Sequence, residues 1–277
     1  MSGPLKLYRT APGPVVEADG AFVRLEEEWD ALVNRAGLAA HLREAAAHGR
    51  REPRLVEALL APVGGQEVWG AGVTYDRSRA ARADESHAAG GSSFYDRVYD
   101  AARPELFFKC AGWRVRGPGQ PVRIRRDARW SVPEPELALV VNARGEIVGY
   151  TIGDDMSSRD IEAENPLYLP QAKTYDGSCA LGPAVLVHEQ PLPRATTIAV
   201  RVRREGAVAF EGATSLERLR RPLEELVAYL FRETSFPAGC VLLTGTGIVP
   251  PNDFALRVGD EVEIEVPAIG TLRNPVE

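Results

Sequence analysis

Four acidic residues have a spacing that could build a metal site. Glu134 and Glu136 are separated by one residue, and the pair Asp154-Asp155 follows after an apolar stretch. Residues two apart on a strand point to the same face, so the two glutamates would present their oxygens side by side. A chain that folds back after Glu136 would bring one of the aspartates to the same place.

The sequence between these acidic pairs predicts such a fold-back. Two apolar runs, 137–141 and 147–150, flank a segment rich in turn-forming residues, 142–145, which predicts a β-hairpin. Counting outward from the turn places Asp154 or Asp155 opposite the glutamates. If the turn absorbs one extra residue, Asp155 shares their face and Asp154 points away.

Three converging carboxylates repel one another strongly unless a cation lies among them. Ligation by oxygen alone, with positions left for water or substrate, predicts Mg²⁺, with Mn²⁺ or Ca²⁺ as substitutes, and argues against a Cys/His zinc site. The alternative is that Glu134 and Glu136 form the solvated face of an edge strand, as such pairs often do. Pro135 and the returning acidic pair make this alternative the weaker one.

The elements that must position these residues belong to a β-rich protein. Residues 1–65 carry short strand-like pieces and a helical stretch, 25–47, that Gly37 interrupts, which predicts a small N-terminal α+β subdomain. In 66–277, short apolar runs recur between Gly, Pro and Asp turn signals, as is typical of a sandwich, roll or barrel. One helix is predicted there, at 223–231, from leucines at i, i+3 and i+7.

Composition narrows the possible functions. The chain has 277 residues, 44% of them hydrophobic, and can bury a sizeable core. A net charge of -6 provides no basic field for nucleic acid, and no apolar stretch is long enough for a membrane helix. The first residues lack an apolar signal core, and the three cysteines are widely spaced. We therefore expect a cytoplasmic protein with reduced, buried cysteines.

Several segments together resemble the fumarylacetoacetate hydrolase superfamily. They are residues 133–137; 149–151 with 155–160; 171–176 with 181–183; and 242–247 with 270–276. The resemblance covers about residues 68 to 277 and implies a mainly β fold with some α, a mixed β-sandwich roll. It also implies a divalent cation, usually Mg²⁺, held by Glu134, Glu136 and Asp155, and a homo-oligomer, either a dimer or a tetramer. Asp155 is thus selected over Asp154 by analogy.

One departure from this family bears on function. Its hydrolases carry an Asn-Tyr-x-x-His segment followed by a glutamate, and the His/Glu pair activates water. Ser78 stands here where the histidine belongs, and a serine cannot act as a general base near neutral pH. The other histidines are poor replacements: His41 and His48 fall in the predicted N-terminal helix, His188 follows a predicted strand, and His87 is displaced and expected on a surface loop.

The residues around this position are similar to the 2-keto-3-deoxy-D-arabinonate dehydratase-like subgroup. The shared residues are 72–75, Ser78, Ala81, Arg82, Glu85, 95–100 and 103–109. The resemblance implies Mg²⁺-dependent dehydration of a 2-keto-3-deoxy pentonate, such as the D-arabinonate or xylonate, to 2,5-dioxopentanoate. A metal-bound enolate would form, and the C4 hydroxyl would then leave. The alternative for Arg103, Glu105 and Lys109 is an ordinary ion-pair cluster on a strand.

The same resemblance suggests roles for the polar residues. Lys173, desolvated beside a cation, would have a lowered pKa and act as a base or an acid, or it would hold the substrate carboxylate as a fixed charge. Both roles stay open. Thr246 lies between glycines that let donors approach an anion, and it is predicted to bind the carboxylate. Ser78 and Tyr75 are predicted to contact sugar-acid hydroxyls, and Glu105 to transfer protons.

Two other functions remain open. The nearer is a hydrolase of acylpyruvates or fumarylacetoacetate-like diketones, in which Glu85 or Glu105 activates water. The more distant is a metal-binding protein on the same scaffold that has no catalytic activity. The combination of the three carboxylates with Lys173 argues against this second function.

Overall fold

The computed structural model of the chain describes residues 3–52, 58–85, 92–188 and 190–277. Its strands are β1 (Leu5–Tyr8), β2 (Val15–Ala18), β3 (Ala21–Arg24), β4 (Arg51–Glu52), β5 (Glu67–Gly72), β6 (Glu105–Ala111), β7 (Ser131–Val132), β8 (Pro135–Val141), β9 (Ile147–Asp155), β10 (Ser157–Ser158), β11 (Cys179–Val187), β12 (Thr197–Arg204), β13 (Ala207–Ser215), β14 (Cys240–Leu243), β15 (Glu261–Val266) and β16 (Gly270–Pro275). Its helices are α1 (Trp29–Val33), α2 (Leu38–His48), α3 (Asp76–Glu85), α4 (Ser92–Asp100), α5 (Arg159–Glu164), α6 (Leu169–Lys173) and α7 (Leu223–Leu230). Among these described segments, no helix has the length and apolar character needed to cross a membrane.

A large mixed sheet forms the centre of the structure. Its strand order is β4-β3-β2-β1-β11-β9-β8-β14-β5-β6, and neighbouring strands are antiparallel except for the parallel pair β14 and β5. The chain that follows β6 returns to β11, where Arg116 forms a bridge with Ala180. The backbone N–H of Arg116 donates to the carbonyl of Cys179 at 2.8 Å. The segment after the edge strand β6 therefore packs against a central strand of the same sheet. The mixed, strand-rich fold confirms the predicted β-sandwich roll.

A second sheet of four strands, in the order β13-β12-β15-β16, covers one face of the first. Alternate residues of its strands are buried, so that Val200, Val202 and Ile264 share a hydrophobic core with Leu139 and Ile152 of the large sheet. A period-two pattern of this kind is what a strand with one buried face requires. The main core of the protein lies between these two layers.

The predicted hairpin is present as β8 and β9. Every residue of β8 is buried, because the other face of the large sheet is covered as well. Val140 pairs with Gly149 and Val141 with Ile147, so one residue of β9 is left over beside the turn. Gly145 adopts the left-handed conformation that this turn needs, with φ of 76°. The extra residue of the hairpin is thus a β-bulge next to the turn.

The N-terminal segment contributes strands β1 to β4 and helices α1 and α2. Gly37 precedes α2 with φ of 64° and separates it from α1, as predicted. Leu7 and Leu42 are among the residues of a core that belongs mainly to this segment. Strand β1 also pairs with β11, so the segment continues the large sheet. The division into 1–65 and 66–277 stays a prediction.

The prediction of a single helix beyond residue 66 was wrong. Helix α7 is present and buries Leu226 and Leu230 as expected, but α3, α4, α5 and α6 are also present. Hydrophobic periodicity does not reveal α3, α5 and α6 because charged residues occupy their inner faces. Arg82 of α3, Arg159 of α5 and Lys173 of α6 are all buried.

Candidate metal centre

The structure brings three carboxylates together at the end of the β8–β9 hairpin. Oxygens of Glu134, Glu136 and Asp155 all lie within 4.8 Å of one another, and all three residues are buried. Pro135 pairs with Asp154, which places Asp155 opposite Glu134 and on the face of the two glutamates. The bulge beside the turn therefore produces the register in which Asp155, and not Asp154, converges with them.

Asp154 has a different role on the opposite face. Its Oδ1 accepts a hydrogen bond of 3.1 Å from the backbone N–H of Glu134. Burial raises the pKa of the Asp154 carboxyl to about 8, and the Glu134 N–H only partly offsets this rise. Asp154 thus supports the backbone of a neighbouring carboxylate rather than facing the cluster.

The electrostatics of the cluster favour a bound cation. Burial raises the pKa of Glu136 well above its ordinary value, and the charges of Asp155 and Glu134 raise it further. The backbone N–H of Gly245 donates to Glu136 Oε2 at 2.5 Å. A hard divalent cation would remove this repulsion, and an all-oxygen donor set fits Mg²⁺ better than zinc. The residues present therefore fit the group that the sequence predicts.

Glu134 is surrounded by basic side chains. Its Oε1 forms ion pairs with Arg159 at 2.7 Å and with Arg82 at 3.1 Å, and it accepts a hydrogen bond from Ser157. The arginines also flank the buried Glu162, with Arg82 Nε 3.3 Å from Glu162 Oε1. These contacts fix the orientation of Glu134 from three sides.

Lys173, the last residue of α6, lies between two of the carboxylates. Its Nζ donates to Glu134 Oε2 and Asp155 Oδ2, each at 2.9 Å, and to Ser157 Oγ at 2.6 Å. Burial lowers the pKa of Lys173, but the charges of Asp155 and Glu134 outweigh burial, and the pKa is raised above its ordinary value. Beside these carboxylates the expected lowering of the pKa is not found, and the ammonium form is favoured.

Glu105 and Lys173 line a common cavity. The free space measures about 30 Å³ and is enclosed by Ala71, Gly72, Val73, Ser78, Arg82, Tyr95, Glu105, Phe107, Glu134, Asp155, Glu162, Leu169, Lys173 and Gly245. Burial raises the pKa of Glu105 to about 7, with a further rise from the charge of Glu162. A side chain at Gly72 would meet the Glu105 carboxylate, so the glycine leaves room for this carboxylate in its present position. A ligand larger than a few water molecules requires the lining side chains to move.

The remaining predicted site residues differ in their position. Ser78 lines the cavity, and its hydroxyl donates to the carbonyl of Tyr75 at 2.8 Å. Tyr75 is buried beside Gly247, and its hydroxyl has no hydrogen-bond partner among the described residues. Thr246 is buried, and its hydroxyl donates to the carbonyl of Ile248 at 3.3 Å. Of these three, only Ser78 is in the cavity wall.

Sequence reasoning missed the contribution of Lys109. This residue is completely buried, and its Nζ lies 2.5 Å from Asp155 Oδ1. A lysine among the apolar residues Phe107, Phe108 and Cys110 of a strand was a usable signal of burial. Arg82 and Arg159 lie in segments that carry the family resemblance, but nothing in the sequence around either residue predicts its contact with Glu134.

Histidine does not take part in the described site. His41 pairs with Glu27 and His48 ends α2, while the ring Nδ1 of His188 lies 2.9 Å from the carbonyl of Gln190. None of them lines the cavity. His87, and with it the prediction of a surface loop there, lies outside the described residues, and so does the side chain of Glu85.

Comparisons with known proteins identify the family of the chain. The fumarylacetoacetate (FAA) hydrolase C-terminal family matches residues 73–277. The chain is 46% identical over 221 residues to 2-dehydro-3-deoxy-D-arabinonate dehydratase of Saccharolobus solfataricus, and the match covers 79% of this chain and 74% of the relative. It is 47% identical over 216 residues to a probable 2-keto-3-deoxyxylonate dehydratase of Haloferax volcanii, and this match covers 78% of this chain and 73% of the relative.

A solved structure is similar over almost the whole length. It is a 2-keto-3-deoxy-D-arabinonate dehydratase complexed with magnesium and 2,5-dioxopentanoate, with a TM-score of 0.82 and 36% identity. The similarity covers 99% of this chain and 98% of the other. The shared fold therefore includes the N-terminal segment, which lies outside the matched family region.

Proposed function

The chain belongs to the fumarylacetoacetate hydrolase family, and we infer from its site that it is a hydro-lyase that removes water from a 2-keto-3-deoxy sugar acid. We expect the substrate to be a pentonate such as 2-keto-3-deoxy-D-arabinonate or xylonate, and the product to be 2,5-dioxopentanoate. The reaction would depend on Mg²⁺ held by Glu134, Glu136 and Asp155. The cation, when bound, would polarise the keto group of the substrate and acidify its C3 proton.

One observation carries the proposal. Glu105 and Lys173 line the same cavity as Glu134 and Asp155, two of the three proposed metal ligands. A 2-keto acid that met the cation would therefore have both a carboxylate and an ammonium group beside it. No histidine among the described residues lines this cavity, and a dehydration does not need one to activate water.

We assign the proton transfer at C3 to Glu105. A base works best when its pKa is close to the working pH, and the pKa of Glu105 is about 7. In its ionised form Glu105 would take the C3 proton, and in its protonated form it could return a proton to the departing C4 hydroxyl. The atoms balance, because the substrate loses one hydrogen from C3 and one hydroxyl from C4 as water.

Lys173 would hold the substrate in place as a fixed positive charge. Its Nζ lies 2.9 Å from both Glu134 and Asp155, next to the position where the keto acid would meet the cation. Ser78 would contact a substrate hydroxyl from the cavity wall. For Tyr75 and Thr246 we keep the proposed contacts with a hydroxyl and with the carboxylate. Neither residue lines the cavity, so both contacts require the lining side chains to move.

The test is a product analysis. The protein is incubated with Mg²⁺ and a panel of 2-keto-3-deoxy pentonates and hexonates, with acylpyruvates in parallel, and the products are identified by mass. We expect a loss of water from a pentonate and almost no change in the acylpyruvates. Cleavage of an acylpyruvate with uptake of water, and no dehydration of any 3-deoxy acid, would reject the proposal in favour of a hydrolase.

We also propose that the protein is a cytoplasmic homodimer or homotetramer. Trp113 is 75% exposed and Leu167 is 82% exposed, more than large apolar side chains usually are. A symmetric contact with another copy would bury them. The three free cysteines are all buried, as suits a reducing compartment. Light scattering should give a multiple of the 30.1 kDa chain mass at micromolar concentration, and a monomer mass would contradict the oligomer.

A further inference from the structure

We propose that Lys109 is a positioning residue of the metal centre, which holds the Asp155 carboxylate in the orientation that a divalent cation requires. The proposal rests on the proposed function in one respect, namely that Asp155 is a metal ligand. It assigns a task to a buried residue to which the proposed reaction gives none.

The contacts of Lys109 are unusually complete. Its side chain is 0% exposed, and its Nζ forms an ion pair of 2.5 Å with Asp155 Oδ1. The same Nζ donates to the carbonyl of Met156 at 2.9 Å and to the carbonyl of Lys173 at 2.6 Å. A lysine is seldom fully buried unless it is paired and hydrogen-bonded, and here all of these partners belong to the metal centre or to its neighbours.

A backbone irregularity lies at Lys109. In the pairing of β5 with β6, Val68 faces Cys110 and Trp69 faces Phe108, so Lys109 is the extra residue of a β-bulge. Regular alternation along β6 places Lys109 on the same face as Glu105 and Phe107, which line the cavity together with Asp155. The bulge leaves Lys109 without a paired residue on β5, and bulges of this kind occur next to functional sites.

The geometry separates Lys109 from catalysis. It does not line the cavity, whereas Glu105 and Phe107 of the same strand do. Lys109 therefore cannot touch a substrate there and acts through Asp155. With Oδ1 held by Lys109, the Oδ2 atom of Asp155 accepts a hydrogen bond from Lys173, which also donates to Glu134. Rotation of the Asp155 carboxylate away from the cluster would break the ion pair in a fully enclosed position.

Conversion of Lys109 to methionine tests the proposal, because methionine has similar length and no charge. The binding of Mg²⁺ to the free protein is measured by calorimetry, with circular dichroism as the check on folding. Loss of an outer partner of a metal ligand typically weakens metal binding by roughly 10- to 100-fold. We expect a weakening of that size for Lys109→Met, together with a higher Mg²⁺ concentration for half-maximal turnover and substantial recovery of kcat at saturating Mg²⁺.

Arg204→Met is the matched control. Arg204 donates to both oxygens of the buried Asp260, at 2.8 Å each, and to the carbonyl of Ala255 at 2.9 Å. Its ion pair is thus similar in kind but lies in the four-stranded sheet. Arg204→Met should lower the melting temperature and leave the Mg²⁺ affinity of the folded protein unchanged, which separates lost positioning from general destabilisation.

The outcomes are distinct. An unchanged or tighter Mg²⁺ affinity in folded Lys109→Met would overturn the proposal. If that variant does not fold, Lys109→Gln, whose amide can still donate to the Met156 carbonyl, is measured in the same way and decides the question. Calorimetry needs no substrate, so a wild-type protein that binds Mg²⁺ but dehydrates nothing would reject the proposed function and leave this inference standing.

Discussion

The two halves of the β8–β9 hairpin share one backbone register but have opposite contents. The half next to the turn is apolar, with Leu139 and Val140 buried in β8. The other half carries Glu136, Asp154 and Asp155, which are just as deeply buried. One continuous ladder therefore contains a stabilising region and a region whose charges repel one another. The difference indicates that the strand is built for stability near the turn and for chemistry at its far end.

The energies of the two halves differ in kind. A buried leucine or valine stabilises the fold by about 1.5–3 kcal/mol. A buried charge costs several kcal/mol unless it is paired, and removal of one partner leaves the other uncompensated. The charged half is tolerated because Lys109, Lys173, Arg82 and Arg159 surround it. We expect substitutions in the charged half to affect metal binding and turnover, and substitutions in the apolar half to affect unfolding.

The largest effect is expected for Glu136→Gln. The amide keeps the shape of the side chain but removes the charged ligand, so Mg²⁺ binding and turnover should fall by more than the roughly 100-fold upper value for an outer partner. The pKa of Glu136 is raised by burial and by its neighbours, so a neutral side chain should not lower the melting temperature. Calorimetry and thermal unfolding check both points. Normal turnover with normal metal content would remove Glu136 from the site.

Lys173→Ala is expected to have the next largest effect. It removes the fixed positive charge that lies 2.9 Å from Glu134 and Asp155, and kcat at saturating Mg²⁺ should fall by roughly 100- to 1,000-fold. Lys6→Ala, in β1 and outside the cavity, is the matched control and should keep normal kinetics. Similar kinetics for the two variants would show that Lys173 has no part in the reaction.

Leu139→Ala tests the apolar half of the hairpin. Leu139 is 0% exposed, and truncation of a buried leucine costs about 2–5 kcal/mol of the free energy of unfolding. Urea denaturation should show this loss, while the Mg²⁺ affinity of the folded protein stays within about twofold of the wild type, since distant sites act independently. A large loss of Mg²⁺ affinity would mean that the two halves are not separable.

The same contrast explains what sequence reasoning could reach. The apolar runs, the turn and the convergence of one of the two aspartates with Glu134 were predictable, because strand period and turn chemistry are local properties. The choice of Asp155 over Asp154 came from the family resemblance and not from the spacing. The surrounding charges were not predictable in this way. Arg82 and Arg159 come from short helices whose buried faces are charged, and Lys109 reaches Asp155 from strand β6. No pattern within one segment encodes contacts between segments that meet only in the fold.

Glu105 should give turnover and stability opposite dependences on pH. Burial raises its pKa from 4.5 to about 7. Because the pKa of Glu105 is higher in the folded state, the protonated side chain contributes fully to the free energy of unfolding below pH 4.5. This contribution is lost as the pH rises through 7. As a base it needs the ionised form, so kcat/KM should rise through pH 7 while stability falls. Glu105→Gln should lose most of its turnover and melt at a higher temperature than the wild type at pH 8. Parallel melting curves of the two proteins from pH 5 to 8 would contradict this.

The smallest effect is expected for Asp154→Asn, the direct neighbour of a proposed ligand. Asp154 lies on the opposite face from the cluster, and its Oδ1 accepts a hydrogen bond from the Glu134 N–H. An asparagine oxygen can accept the same bond, so turnover should stay within a few-fold of the wild type. Asp155→Asn, by contrast, weakens a ligand that Lys109 and Lys173 both contact, and it should lose much more. Steady-state kinetics and Mg²⁺ calorimetry on the two variants give the order. A reversed order would mean that the bulge beside the turn does not determine which aspartate binds the metal.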